Sequence, residues 1–368
     1  MPTEGWLCVG SRNANRQSEI EQKTREAKLL VMRSLLRYAK VLKMPTVGWL
    51  CQEYGGNRSG CFVRSGLPAQ KVLYWWQTLQ PRSERIFEHM IQDIHPHIFD
   101  NSYRPRPAGP DDLVLCYTQD KALFDPSGGE GMFPTLGELF GDIAALSLIY
   151  LFQLDGRGVY LLTDPPPEQT GRFVWGEVNL FRSVLPEWLA FCGITGSHLY
   201  RWYGDHAYCG RCATAMEHKP DERALVCRGC AKTEFPTLSP AVIVAVTNGD
   251  RLLLTRYAHS VYRRWALVAG FAEIGETLEE TVSREVLEET GIRVKNLRYY
   301  KSQPWGYSQS LLVGFFAELD GDDTITLDET ELSEAQWQTR DEIEPPPSTV
   351  SLTAEMIEAF RTGKMPSL

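Results

Sequence analysis

Residues 270–292, GFAEIGETLEETVSREVLEETGI, constrain the chain more than any other stretch. They read as a loop feeding a helix on which Glu285, Glu288 and Glu289 stand at i, i+3 and i+4, three carboxylates within one turn. Such a cluster repels itself unless cations sit on it. At about 100° per residue, Leu278, Val282 and Val286 make an apolar stripe. Glu285 and Glu289 project within the range of that stripe, whereas Glu279 and Glu280 point away, as a merely solvated acidic face would. Carboxylates turned toward the protein body are costly unless paired or metal-bound.

A second constraint lies upstream. Four of the nine cysteines form two C-x-x-C pairs, Cys209/Cys212 and Cys227/Cys230, with fourteen residues between the pairs. Thiolates bind zinc tetrahedrally, and each pair supplies two ligands from one tight turn, so two such knuckles close a single four-cysteine site. A redox motif would need one pair on a βαβ unit rather than two pairs joined by a hairpin. Four protein ligands leave the zinc no open position, which makes it structural. Cys8, Cys51, Cys61, Cys116 and Cys192 show no pattern and are expected to be free thiols in a reducing compartment.

With 368 residues and 43% hydrophobic side chains, the chain has material for two or three domains. The net charge of -9 argues against bulk electrostatic binding of nucleic acid. No apolar run reaches the length of a membrane span and no secretory signal is evident, so a cytoplasmic location is expected.

Residues 1–89 read as an extension with little structure of its own, or as a small partner-binding segment. Its MPTEGWLC recurs as MPTVGWLC at residues 44–51, around a basic amphipathic helix expected near residues 19–43. From Met90 the chain turns into strand-like runs, LVLCY (113–117), LIYLFQL (148–154), VYLLT (159–163) and FVWGEVNLF (173–181), which implies a mainly β N-terminal domain. A helix follows over residues 186–203, with Gly193 and Gly196 as candidate breaks. His95, His97, His198 and His206 are dispersed and read as surface or packing residues. Beyond the cysteines, AVIVAVT, the turn NGD and RLLLTRY form a hairpin, and WALVAGF leads into the acidic stretch. Strands are expected around residues 294–300, 310–319, 324–327 (TITL) and 335–339, then a terminal helix at 352–362.

Gly270, Glu276, Arg284, Glu285, Val286, Glu288, Glu289, Gly291 and Ile292 fill every fixed position of G-x5-E-x7-R-E-U-x-E-E-x-G-U, so the stretch resembles the Nudix box. SQPWGYSQS, residues 302–310, is similar to the SQPWPFPxS signature of NADH pyrophosphatases of the NudC type. Gly306 and Ser308 replace prolines and Tyr307 replaces phenylalanine. The zinc ribbon placed directly before the box has the same parallel, and HIFDNSYRPR and LFQLDGRGVYLL look like that subfamily's N-terminal domain.

The resemblance implies an α+β protein: a Nudix α/β/α sandwich at 237–368, a four-cysteine zinc ribbon at 201–236 and a mainly β N-terminal domain at 90–200. It implies hydrolysis of the NAD(H) pyrophosphate to NMN(H) and AMP, with magnesium or manganese as catalytic ion. The cations would shield the pyrophosphate, polarise phosphorus and acidify the attacking water. Glu285 and Glu289 are the implied ligands, joined by Glu331 and, through backbone, Ala269. Glu288 is ligand or general base, and Arg284 orients the glutamates.

For substrate, the resemblance implies that Phe271 and Trp305 sandwich the nicotinamide within a loop of Gln303, Pro304, Gly306, Tyr307, Ser308, Gln309 and Ser310. Ser351 contributes by backbone, and Arg182 matches a phosphate-binding arginine. Glu222 and Phe235 would reach substrate from the partner subunit of a homodimer. Removal of an NAD cap from RNA uses the same bond, and Arg201, Arg211, Lys219, Arg223, Arg228 and Lys232 give the ribbon a local positive excess toward such RNA. Two further alternatives are a broader nucleoside-diphosphate-X hydrolase, such as an ADP-ribose pyrophosphatase, and a nucleic-acid-binding ribbon on an inactive Nudix fold. The complete acid cluster counts against the last.

Overall fold

A computed structural model describes residues 89–166, 170–184, 186–258 and 264–365. All belong to one of the chain's two compact units, Gln80–Leu368. The repeated octapeptide and the basic helix expected near residues 19–43 lie outside the described residues.

The N-terminal part holds β1 (Phe99–Asp100), β2 (Leu113–Leu115), β3 (Tyr117–Thr118), β4 (Lys121–Phe124), α1 (Leu136–Leu139), β5 (Leu148–Leu154), β6 (Arg157–Leu162) and β7 (Val174–Glu177). They form a four-stranded sheet, β1-β5-β6-β2, and a three-stranded sheet, β3-β4-β7. The run FVWGEVNLF is strand only in its first half, because after Glu177 the chain tightens into a 3-10 turn, Val178–Arg182. Helix α2 (Glu187–Asp205) follows without a break. Gly193 and Gly196 do not interrupt it; they give it room. A Cβ on Gly193 would come within 2.5 Å of Phe133, and one on Gly196 within 2.3 Å of Leu115. The bare backbone lets α2 lie on the sheets, where Tyr117 donates to the Gly193 carbonyl at 2.6 Å.

The cysteine segment is a small antiparallel sheet of β8 (Met216–His218), β9 (Leu225–Cys227) and β10 (Thr233–Glu234). The remaining strands are β11 (Ser239–Asn248), β12 (Arg251–Tyr257), β13 (Val268–Phe271), β14 (Val294–Trp305), β15 (Ser310–Leu319) and β16 (Leu332–Thr339). They build one sheet in the order β14-β15-β11-β12-β16, with β13 alongside the first half of β11. The hairpin turns at Asn248, Gly249 and Asp250, where Gly249 supplies φ 64°. The pairing of β11 with β15 is parallel.

Helices α3 (Leu278–Thr290) and α4 (Leu352–Arg361) cover this sheet. Strand β11 is apolar on both sides, as a strand buried on both faces must be. Val242, Val244 and Val246 join Val282 and Val286 of α3 in one core, while Ala241, Ile243 and Ala245 join Leu352, Met356 and Phe360 of α4 in another. That second core continues through Trp305 and α2 into the N-terminal sheets. Gly314 of β15 permits close approach of α4, since a Cβ there would stand 2.7 Å from the Met356 sulfur.

One expected strand, TITL at residues 324–327, is not a strand. Its backbone is committed to the end of α3, with the Thr326 N–H donating to the Thr290 carbonyl at 2.9 Å and the Asp328 N–H to Glu289 at 3.0 Å. These bonds satisfy carbonyls that a helix C-terminus leaves open. Among the described residues, no helix is long and apolar enough to cross a membrane.

Candidate active site

Helix α3 begins and ends where its sequence dictates. Thr277 caps it in a reciprocal capping box with Glu280, whose N–H reaches Thr277 Oγ1 at 3.2 Å while Glu280 Oε2 accepts from the Thr277 N–H at 2.8 Å. Gly291 closes it at φ 70°. Its inner face buries Val282, Val286, Glu285 and Glu289, and leaves Glu288 exposed.

The acids lie in the C-terminal half of the helix, where the backbone dipole adds negative potential to their own charges. Glu289 is 2% exposed, and neither carboxylate oxygen has a well-formed hydrogen bond. Burial, followed by repulsion from Glu285 and Glu331, pushes its carboxyl up to about 8, opposed by the Ala269 amide. Burial also raises Glu285, though its Oε1 accepts from Arg284 Nη1 at 2.8 Å.

Arg284 anchors the cluster. Its Nε and Nη2 bind Glu276 at 2.6 and 3.0 Å, its Nη1 binds Glu285 and Glu288 at 2.8 and 3.0 Å, and Nη2 also reaches the Phe271 carbonyl at 3.0 Å. The paired guanidinium holds Glu276 down at about 2. Gly270 supplies the space: a Cβ there would stand 2.0 Å from Glu285 Cδ. The glycine of the sequence pattern is required by this contact.

Glu285, Glu288, Glu289, Asp328 and Glu331 together line a cleft of about 240 Å3. The sequence does not single out Asp328; its signal is the acidic run DETE at residues 328–331. It is held by two bonds to Thr330 and by its own N–H on the Glu289 carbonyl. Glu331 is set by the Ala258 N–H on its carbonyl at 2.8 Å. Tyr257, at the end of β12, has no sequence signal of its own. Burial raises its phenol, with Glu289, Glu285 and Glu331 adding to the shift. A buried carboxylate with two unsatisfied oxygens among four further acids fits a hard divalent cation bound through oxygen.

The residues expected to hold a base lie on the other face of the sheet. Strand register puts Phe271, Ala241, Leu312 and Gln303 in one row, with Phe271 and Trp305 at the same sheet end. Three strand spacings separate Phe271 from that row's end, about 14 Å. Phe271 is 52% exposed and Trp305 only 9%. Residues 302–305 end strand β14 rather than forming a loop, and the turn itself is 306–309.

Gln303 is wholly buried. It donates to Gln92 at 2.9 Å and to the Val350 carbonyl at 3.0 Å, and accepts from the Leu352 N–H at 2.7 Å. The structure therefore gives it a tie between β14 and the start of α4, which Ser351 caps. Ser308 and Ser310 bond each other at 2.9 Å, Gln309 takes φ 56°, and Pro304 is exposed. Arg182 lies over the rings of Trp305 and Tyr307. Away from this turn, Glu222 pairs with Lys219, and Phe235 is 55% exposed.

The four cysteine Sγ atoms lie within 4.8 Å of one another, with Cys209–Cys230 at 3.6 Å and Cys212–Cys227 at 3.4 Å. A tetrahedron with zinc–sulfur bonds of about 2.3 Å needs edges of about 3.8 Å, so the cluster fits one structural zinc. Each knuckle closes by a backbone bond, Ala213 N–H to Cys209 and Ala231 N–H to Cys227, both at 2.8 Å, with the alanines at φ 57° and 58°. Hydrogen bonds from the Thr214 hydroxyl and amide help lower the Cys212 thiol to about 6. The histidines do not join this group. His97 pairs with Asp155 and stacks on Trp188, while His198 and His206 bond backbone carbonyls.

Comparison with known proteins matches residues 237–360 to the NUDIX domain and residues 205–235 to the NADH pyrophosphatase zinc ribbon domain. The NAD-capped RNA hydrolase NudC of Shigella flexneri is 45% identical over 161 residues, covering 42% of this chain and 61% of the relative. The protein of that name from Enterobacter sp. (strain 638) is 44% identical over 158 residues, again 42% of this chain and 61% of the relative. The chain thus spans about three fifths of the length of these relatives. Residues 205–360 thus carry a match to a NUDIX domain preceded by a match to the zinc ribbon domain of NADH pyrophosphatases.

Proposed function

We propose that the chain hydrolyses the pyrophosphate bond of NAD(H), giving AMP and NMN(H), as a cytoplasmic homodimer that uses magnesium or manganese. The observation that carries this is Glu289, buried with both oxygens unsatisfied at the centre of a five-acid cleft. Glu285, Glu289 and Glu331 would hold the ion, with the Ala269 carbonyl beside them. The bound ion supplies Lewis-acid chemistry: it neutralises the pyrophosphate and makes a water more acidic.

Arg284 fixes the carboxylates of Glu285 and Glu288 before substrate arrives, so little reorganisation is needed during reaction. Glu288, exposed at the cleft, takes the proton from the attacking water. As the new oxygen–phosphorus bond forms, the bridging oxygen leaves with the other nucleotide's phosphate. Phe271 and Trp305 receive the nicotinamide ring, and Glu222 and Phe235 of the second subunit complete the site. Replacing Glu289→Gln is expected to reduce turnover at least 1,000-fold, about 4 kcal/mol of barrier, with zinc content and the folded state retained; turnover within tenfold of the unmodified chain refutes the metal assignment.

Removal of an NAD cap from RNA is the second reading, favoured by the name of the relatives. Five of the six cations noted at the ribbon are already engaged. Lys219 pairs with Asp221 and Glu222, Arg228 with Glu217, and Lys232 with Glu234, while Arg201 and Arg223 bind backbone carbonyls. Three of the six positive charges are thus offset by neighbouring carboxylates, which weakens the ribbon's field for an RNA chain.

A further inference from the structure

Glu289 and Glu331 stand on different elements, yet one residue joins their backbones. Glu289 lies in the last turn of α3, and Glu331 in the turn that leads into β16. The Asp328 N–H donates to the Glu289 carbonyl at 3.0 Å, and the Asp328 carbonyl accepts from the Glu331 N–H at 3.2 Å and from the Leu332 N–H at 2.9 Å. Two hydrogen bonds through one residue thus connect the main chains of the two glutamates. Upstream, the Thr326 N–H on the Thr290 carbonyl and the packing of Ile325 on the core beneath α3 hold the same segment.

The path turns a corner between Asp328 and Leu332, and the Asp328 side chain fixes that corner. Its Oδ1 accepts from the Thr330 N–H at 2.9 Å and from the Thr330 hydroxyl at 2.6 Å. A carboxylate that accepts from the N–H two residues on closes an Asx turn and holds the backbone in the bend. Glu329, Thr330 and Glu331 are exposed, so packing of their side chains supplies little of that restraint. Beyond the bend, the Glu331 carbonyl takes the Ala258 N–H at 2.8 Å. A turn held at both ends sets the Glu331 carboxylate at the cleft that it shares with Glu285 and Glu289.

We propose that Asp328 is a positioning residue for the divalent cation: its Asx turn with Thr330 holds the Glu331 backbone to that of Glu289, so that both carboxylates serve one ion. Asp328 does this as a hydrogen-bond acceptor and not as a ligand. The inference rests on the reading of Glu285, Glu289 and Glu331 as the holders of magnesium or manganese. The two roles separate by charge, because an uncharged amide oxygen can accept both bonds from Thr330, whereas a carboxylate ligand to a hard cation works through its negative charge. Groups that orient metal ligands typically contribute about 10–100-fold to metal affinity.

The test titrates Mn2+ alone into the full chain, with the free ion read by electron paramagnetic resonance, beside the manganese requirement for NADH hydrolysis. Glu289→Gln marks the loss of the site. Asp328→Ala is expected to weaken Mn2+ binding roughly 10–100-fold. Asp328→Asn, whose amide oxygen keeps both bonds to Thr330, is expected to stay within about threefold of the unmodified chain. Thr330→Val removes only the hydroxyl bond and serves if Asp328→Ala does not fold; it is expected to weaken binding about fivefold, the size of one hydrogen bond. A loss in Asp328→Asn as deep as in Asp328→Ala overturns the inference and makes Asp328 a ligand. An affinity unchanged in either Asp328→Ala or Thr330→Val, with Glu289→Gln impaired, overturns it and leaves the metal assignment standing. Mn2+ binding unaltered by Glu289→Gln overturns both.

Discussion

Substituting Gly270→Ala adds a single methyl group where the Glu285 side chain of α3 packs on β13. The new Cβ would lie 2.0 Å from Glu285 Cδ and 2.2 Å from both carboxylate oxygens, where ordinary contact begins at 3.4 Å. Glu285 must therefore withdraw by about 1.4 Å, the difference between 3.4 and 2.0 Å, or β13 must move away from α3. Either movement breaks the 2.8 Å bond from Arg284 Nη1 and displaces one wall of the acid cleft. A misplacement of about 1 Å in a reacting constellation costs roughly 100-fold in rate. The same strain in a packed contact destabilises by about 1–3 kcal/mol. Steady-state hydrolysis of NADH across a manganese titration, beside a thermal melt, measures both. We expect kcat to fall roughly 100-fold, with a higher manganese requirement and a folded protein that still carries zinc. A kcat within about threefold of the unmodified chain would refute the argument that glycine is needed here for the approach of Glu285.

Two further outcomes follow from buried groups. Glu289 has a folded pKa of about 8, above that of a solvated carboxyl, so the stability it contributes is present at low pH and lost as pH rises through about 8. Protein prepared without magnesium or manganese should accordingly melt at progressively lower temperature from about pH 5 to pH 9. Glu289→Gln should flatten that slope, and a melting temperature that climbs over the same range contradicts the assignment. Gln303→Leu leaves the buried Leu352 N–H without its acceptor and removes the bonds to Gln92 and to the Val350 carbonyl, which keeps the Ile91 N–H. We expect about 2–3 kcal/mol of destabilisation by denaturant titration with KM for NADH little changed; a raised KM at unaltered stability would return Gln303 to direct substrate contact.

Much of this architecture could be read from the chain because the decisive residues act locally. Strands β5 (Leu148–Leu154) and β15 (Ser310–Leu319) coincide with their apolar runs, since Gly, Pro and Asp clusters punctuate the chain around them. Helix α3 carries its own start and stop signals in Thr277, Glu280 and Gly291. The two C-x-x-C pairs bring their ligands together through tight knuckles, which needs no knowledge of the rest of the fold.

What escaped reading depends on partners distant in sequence. Residues 324–327 have strand composition, yet the open carbonyls at the end of α3 capture their backbone and the residue that follows. Gly193 and Gly196 look like helix breakers until Phe133 and Leu115 occupy the space that side chains would have filled. Asp328 carries no motif and reaches the cleft because its N–H bonds the Glu289 carbonyl at the end of α3. Gln303 sits in a signature shared with substrate-binding residues, but burial assigns its amide to α4. The engagement of Arg182 with Trp305 joins residues more than a hundred positions apart, and no local pattern announces it.

The central claim is cleavage of a dinucleotide at its pyrophosphate, and separation of the products formed by the purified chain from NADH with magnesium or manganese tests it most directly. The account predicts AMP and NMNH in equal amounts, dependent on the added ion. Release of nicotinamide with ADP-ribose, or an intact dinucleotide after complete hydrolysis of another nucleoside diphosphate derivative, would contradict it.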